Sequence, residues 1–124
     1  MYLLDTHIIL LWLTEPETLL TKSREIIANR ENIIFTSSIS FWEMSIKSSL
    51  GRLTLPNNVL ALLKNDGFRI LPLLPEESLS VIDLPLIHQD PFDRILVAQA
   101  KYNNLIFLTR DEKIQEYPIT VIMS

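Results

Sequence analysis

Asp90-Pro-Phe-Asp-Arg-Ile-Leu-Val-Ala-Gln-Ala-Lys-Tyr102, continuing through Asn103-Asn-Leu-Ile-Phe-Leu-Thr109, holds the start of a helix, its body, a turn and a buried strand. Asp90 is an N-cap residue and Pro91 suits the first helical position, where its missing N–H costs nothing. The helix is expected over Pro91–Asn103, apolar on several faces and so buried between layers. Leu105–Leu108 is then a strand: a short apolar run without strict alternation, as in a sheet covered on both faces. Outward from this unit the same alternation recurs. Strands are expected at Tyr2–Leu4, Ile33–Phe35, Phe68–Leu71 and Ile119–Ile122. Helices are expected at His7–Leu13, Thr21–Asn29 with Thr21 as N-cap, Ser40–Leu50, Asn57–Asn65 and Glu76–Ile82. Strand–helix alternation predicts an α/β fold, a three-layer α/β/α sandwich with a central, mostly parallel five-stranded sheet. Residues 1–124 are read as one domain, a length sufficient for a real core.

Composition excludes several classes. No stretch is apolar and long enough to span a membrane. Asp5 and His7 interrupt the apolar N-terminal run, and no basic leader precedes it, so a signal peptide is not expected. There is no cysteine, hence no disulfide and no thiolate zinc site. A cytoplasmic protein is expected. Gly51 and Gly67 are the only glycines, too few for a phosphate-cradling loop. The net charge of −4 is unusual for a protein that grips nucleic acid by charge alone. Bound divalent cations reconcile the two, because they invert the sign of a carboxylate-lined site.

Ligands of open α/β sheets bind beyond the carboxyl ends of the strands. Asp5 follows the first strand, Glu43 is expected in the first turn of the helix after the second, and Asp111 follows the fourth. Asp93 lies at the start of a helix running against the strands, so it reaches the same edge. Singly, each acid has an ordinary use. Asp5 suits a turn, and Asp93 suits a helix dipole. Glu43 suits a capping box with Ser40 and an ion pair with Lys47. Asp111 suits a cap for Glu112–Glu116. Together they are like charges at one edge, compensated only by an ion or by protonation. Hard oxygen donors favour Mg²⁺ or Mn²⁺, and the chemistry suits in-line hydrolysis of a phosphodiester. His7 and His88 are the only histidines and are read as structural, so no nucleophilic dyad competes. Lys47, Arg94 and Arg110 suit either substrate phosphates or screening of the acids, and Trp12, Trp42 and Phe92 are read as packing or dimer-interface residues.

Leu4-Asp-Thr-His7, Trp42-Glu-Met-Ser-Ile-Lys47 with Gly51-Arg-Leu53, Asp90-Pro-Phe-Asp-Arg94 through Ala98-Gln-Ala100, and Leu108-Thr-Arg-Asp111 together resemble a PIN-domain subgroup. The order of these motifs along most of the chain is specific, whereas Asp-Thr alone is not. The resemblance implies a PIN-like metal-dependent ribonuclease of the VapC type, the toxin of a toxin–antitoxin pair. It implies an RNA substrate, a cognate antitoxin partner and a homodimer. It carries metal binding and catalysis to Asp5, Glu43, Asp93 and Asp111, with Thr6 at the polar position after the first acid. Thr6, Lys47 and Arg94 are expected to contact substrate or support the site. Arg110 departs from the small or polar residue common there. The alternatives are a non-catalytic PIN-like scaffold and another Mg²⁺-dependent phosphodiesterase or phosphatase. A dehalogenase-type phosphatase normally has a second aspartate two residues after the first, where this chain has His7.

Overall fold

The computed structural model describes all residues, Met1–Ser124. Its strands are β1 (Tyr2–Leu4), β2 (Ile34–Ser37), β3 (Arg69–Leu71), β4 (Ile106–Thr109) and β5 (Val121–Met123). Its helices are α1 (Thr6–Thr14), α2 (Thr21–Ala28), α3 (Ser38–Ser49), α4 (Val59–Asn65), α5 (Pro75–Ser80) and α6 (Pro91–Tyr102). Short 3-10 helices occupy Pro16–Thr18, Val81–Asp83 and Glu112–Glu116. No helix is long and apolar enough to cross a membrane.

The sheet has the order β3-β2-β1-β4-β5. Every pair in it is parallel, so "mostly parallel" becomes wholly parallel. β1 lies centrally, with Leu3 opposite Phe35 on one side and Phe107 on the other. The chain leaves β1 towards β2 and β3, then crosses over to β4 and β5. The connections therefore part in opposite directions between β1 and β4, which opens a crevice at the carboxyl ends of those two strands.

Side-chain alternation along the strands produces the layers. Leu3 and Phe107 enter one core with Leu96, Val97, Ala98 and Ala100 of α6. Their neighbours Leu4 and Leu108 enter the opposite core with Ile8 and Ile9 of α1 and Ile27 of α2. Both sheet faces are covered, which is why the strands read as continuous apolar runs. A buried polar chain joins one layer to the sheet: the Ser37 hydroxyl donates to Gln99 Oε1, the Gln99 amide donates to Glu77, and the Asn103 amide also donates to Glu77. Glu77 further accepts the Leu74 N–H at 2.7 Å, so this carboxylate fastens α5 to α6.

Several boundaries differ from the sequence reading. β2 passes into α3 without a loop, and the Ser37 hydroxyl caps α3 by accepting the Ile39 N–H at 3.0 Å. The expected start at Ser40 is therefore late by two residues, Glu43 moves to the second turn, and the Ser40–Glu43 capping box does not form. Leu20, not Thr21, is the N-cap residue of α2. Asn58 takes a left-handed conformation, φ 60°, and delays α4 to Val59. The helix expected over Glu76–Ile82 stops at Ser80 and tightens into the 3-10 turn. At the other end of the chain, the last strand lies further on, at Val121–Met123.

Candidate functional site

The crevice at the β1/β4 switch point is an open pocket of about 430 Å³, lined by Asp5, Glu43, Asp90, Asp93 and Asp111. Five carboxylates thus share one cavity with Lys47, Arg52 and Arg110.

The acids come from four separate segments, with Asp90 and Asp93 sharing the start of α6. Asp5 stands at the junction of β1 and α1, and its Oδ2 accepts the Thr109 hydroxyl at 2.6 Å. The same Thr109 oxygen accepts the Asp111 N–H at 3.1 Å, so one buried threonine at the end of β4 links the two aspartates. Glu43 is buried on α3 and receives the Lys47 ammonium at 2.6 Å, one helical turn on. Asp90 caps α6, accepting from Phe92 N at 2.8 Å and from Asp93 N at 3.4 Å. Asp93, in the first turn of α6, makes no such bond and faces the pocket. Asp111 caps the 3-10 helix through Lys113 N at 3.0 Å, so its structural role is real and coexists with its place in the pocket.

The electrostatics record the crowding. Burial pushes the Asp93 carboxyl up to about 6, helped by the charges of Asp90, Asp5 and Glu43 against the opposing pull of His88. Burial also raises Asp5 above the ordinary carboxylate range, and Glu43 adds to it while the Thr109 hydroxyl works against it. Lys47 is raised by its bond to Glu43. The cations do not neutralise the cluster freely: Lys47 is committed to Glu43, and Arg110 donates to the Thr18 carbonyl.

The PIN domain family model matches residues 2–119. The chain belongs to the PIN domain family. Among its relatives, Ribonuclease VapC22 of Mycobacterium tuberculosis is 25% identical over 96% of each chain. Among solved structures, the domain resembles VapBC2 from Rickettsia felis bound to a DNA fragment from their promoter. That likeness has a TM-score of 0.72 at 16% identity, over 98% of this chain and 97% of the other. It also resembles DNA-bound VapBC from Salmonella typhimurium, with a TM-score of 0.67 at 16% identity over 98% and 96%. These structural likenesses bear on the PIN fold alone.

Of the residues singled out from sequence, Asp5, Glu43, Asp93, Asp111, Thr6, Lys47 and Arg110 meet at the pocket of this PIN domain. Thr6 is buried and donates to the Ser40 hydroxyl at 2.8 Å, joining α1 to α3. Arg94 is not brought there. Its guanidinium donates to the carbonyls of Pro85 at 2.8 Å and Val81 at 3.2 Å, tying down the segment before α6. His7 is exposed at the rim. The aromatic residues lie outside the pocket: Trp12 packs on Phe68 and donates to Asp66, while Trp42 meets Phe92 edge to face at 5.2 Å.

Two residues gain importance only in three dimensions. Arg52 lines the pocket because α3 ends in a left-handed Gly51, φ 71°. Gly51 N–H bonds Ser48 O and Arg52 N–H bonds Lys47 O, the pair of contacts that turns a chain back over a helix end. The sequence signal was present in Leu50-Gly51-Arg52. His88, read from sequence as structural, lies in the loop before α6, yet its Nε2 lies 2.6 Å from Asp111 Oδ2. No spacing rule links positions 88 and 111.

Proposed function

We propose that this PIN domain is a metal-dependent endoribonuclease, the toxin of a toxin–antitoxin pair acting in the cytoplasm. The observation that carries the reading is the pocket itself: five acids from four separate segments, two with raised carboxyls, gathered where the sheet opens. Maintaining such repulsion opposes folding, and a divalent cation removes the repulsion. The donor set fits one. Asp5, Glu43, Asp93 and Asp111 offer hard carboxylate oxygens suited to Mg²⁺ or Mn²⁺, with no thiolate to favour a softer metal. A bound ion of this kind supplies an activated water and stabilises charge on the attacking and leaving oxygens of a phosphodiester.

The chain's own residues supply the rest. Thr109 orients the Asp5 carboxylate, and the Lys47 ammonium holds Glu43 in one rotamer. Arg52, exposed at the pocket rim and without a carboxylate partner, is the cation best placed for an RNA phosphate. The likeness to Ribonuclease VapC22 supports RNA as the substrate, and the likeness to VapBC assemblies supports an antitoxin partner. The test is incubation of purified protein with tRNA and rRNA in Mg²⁺, Mn²⁺ or chelator. Cleavage in metal and none in chelator is expected; undiminished cleavage by chelated protein overturns the reading.

A further inference from the structure

Outside the carboxylates, the unusual group beside the pocket is His88. Its side chain is almost buried, with a relative exposure of 10%. It is gripped from behind by Tyr117, itself buried in the core: the rings stack with centroids 5.5 Å apart and planes 16° from parallel. The Tyr117 Oη lies 2.9 Å from His88 Nδ1 and accepts the His88 main-chain N–H at 3.0 Å. The imidazole therefore has a fixed plane, a fixed back edge and one outward atom, Nε2. A His88 ring nitrogen and one carboxylate oxygen each of Asp93 and Asp111 all lie within 4.8 Å of one another.

We propose that His88 is a nitrogen ligand of the metal centre, completing with Asp93 and Asp111 a mixed nitrogen–oxygen site anchored by Tyr117. The inference rests on the metal-dependent reading above. A phenol oxygen has two lone pairs, so Tyr117 Oη can accept both the main-chain N–H and an Nδ1–H. Without a cation, the 2.6 Å contact between His88 Nε2 and Asp111 Oδ2 holds a proton; a cation would take its place at Nε2, with the ring proton moved to Nδ1, where Tyr117 Oη accepts it. Metal-ligating histidines have this organisation, with the distal ring N–H held by an acceptor that sets tautomer and orientation. The donor set has a consequence. Carboxylates alone suit Mg²⁺ and Mn²⁺ alike, whereas imidazole is a poor ligand for Mg²⁺ and a better one for transition-metal ions, so His88 tilts the centre away from Mg²⁺ and towards a transition ion, of which Mn²⁺ is the spectroscopic probe.

Pulsed electron paramagnetic resonance on the Mn²⁺-loaded protein tests this directly. The expected signal is a directly coordinated ¹⁴N coupling that changes to ¹⁵N on labelling with ¹⁵N-histidine. It should persist in His7→Ala and vanish in His88→Ala. The labelling experiment on the His7→Ala background needs no change at position 88, so the test survives if His88→Ala fails to fold. By calorimetry, His88→Ala should lose about 10–100-fold in Mn²⁺ affinity and less in Mg²⁺ affinity, and Tyr117→Phe should weaken Mn²⁺ while keeping the coupling. Mn²⁺ binding without a nitrogen coupling, or with one that survives His88→Ala, overturns the ligand role and leaves the carboxylate centre standing. Folded protein that binds no Mn²⁺ at all overturns both.

Discussion

At Asp93 two influences compete within one side chain. A first-turn acid is favoured by the helix dipole, but burial among Asp90, Asp5 and Glu43 lifts this carboxyl to about 6. An acid whose folded pKa lies above its unfolded value binds its proton more tightly in the folded state. Stability of the metal-free protein should therefore fall as pH rises from about 4 towards 6, and stay low above that. Melting scans without metal should show this loss, and Mg²⁺ should raise Tm more at pH 7 than at pH 5; a metal-free Tm that climbs across that window contradicts the assignment. Asp93→Asn removes the charge at constant shape, so it should raise or preserve Tm while lowering RNA cleavage by orders of magnitude. Asp90 has a different task. Serine can accept the same backbone N–H groups, so Asp90→Ser should cost at most about 1 kcal/mol and retain most activity. It should also lower the Asp93 pKa, because Asp90 is the largest charge raising it; a carboxyl-carbon titration by NMR reads that shift. An inactive Asp90→Ser beside an active Asp93→Asn reverses the two roles.

The elements decide which residues reach the pocket, and the end of α3 is the clearest instance. Gly51 holds φ 71° with open space where a Cβ would be, so Gly51→Ala meets no clash and is disfavoured by its backbone conformation alone. The expected loss is about 1 kcal/mol by denaturant titration, with the fold intact. Arg52 depends on that turn for its place at the rim. Arg52→Ala should weaken RNA binding about equally across sequences and reduce the magnitude of the salt slope by about one. An unchanged slope removes Arg52 from the phosphate path. The start of α3 shows why element boundaries were less legible than elements. Ser37, Ser38 and Ser40 are all competent caps, and only the tertiary contact of Ser40 with Thr6 takes that hydroxyl away from capping. Pro91 admits one reading, so α6 was legible from its first residue.

For the whole molecule, assembly is the open quantity, and a homodimer that also binds an antitoxin is the proposal. The apolar helices α1 and α4 are partly used within the monomer, since Ile8, Ile9 and Leu63 are core residues. The most exposed large apolar side chains run from the end of α5 into the segment before α6: Leu79 at 75%, Ile82 at 87% and Leu86 at 91%. Ile82→Glu should therefore leave the Tm of the folded chain within about 0.5 kcal/mol equivalent and shift light scattering from dimer to monomer at micromolar concentration. A wild type already monomeric there counts against the dimer. The layered α/β architecture follows from the sequence by itself, because apolar runs of strand length between capped helices can be buried in few other ways. The meeting of Asp5 and Asp111 follows too, since strand ends in such a sheet share one edge whatever the loop details. Tertiary structure alone decided the rest. It carried His88 to Asp111 and turned Arg94 away to the carbonyls of Pro85 and Val81. It also gave Thr109 to both Asp5 and Asp111. Those contacts join residues far apart in sequence across loops without periodicity, so no local pattern encodes them. They exist only once the strands have closed and the free energy of burial selects which polar groups meet.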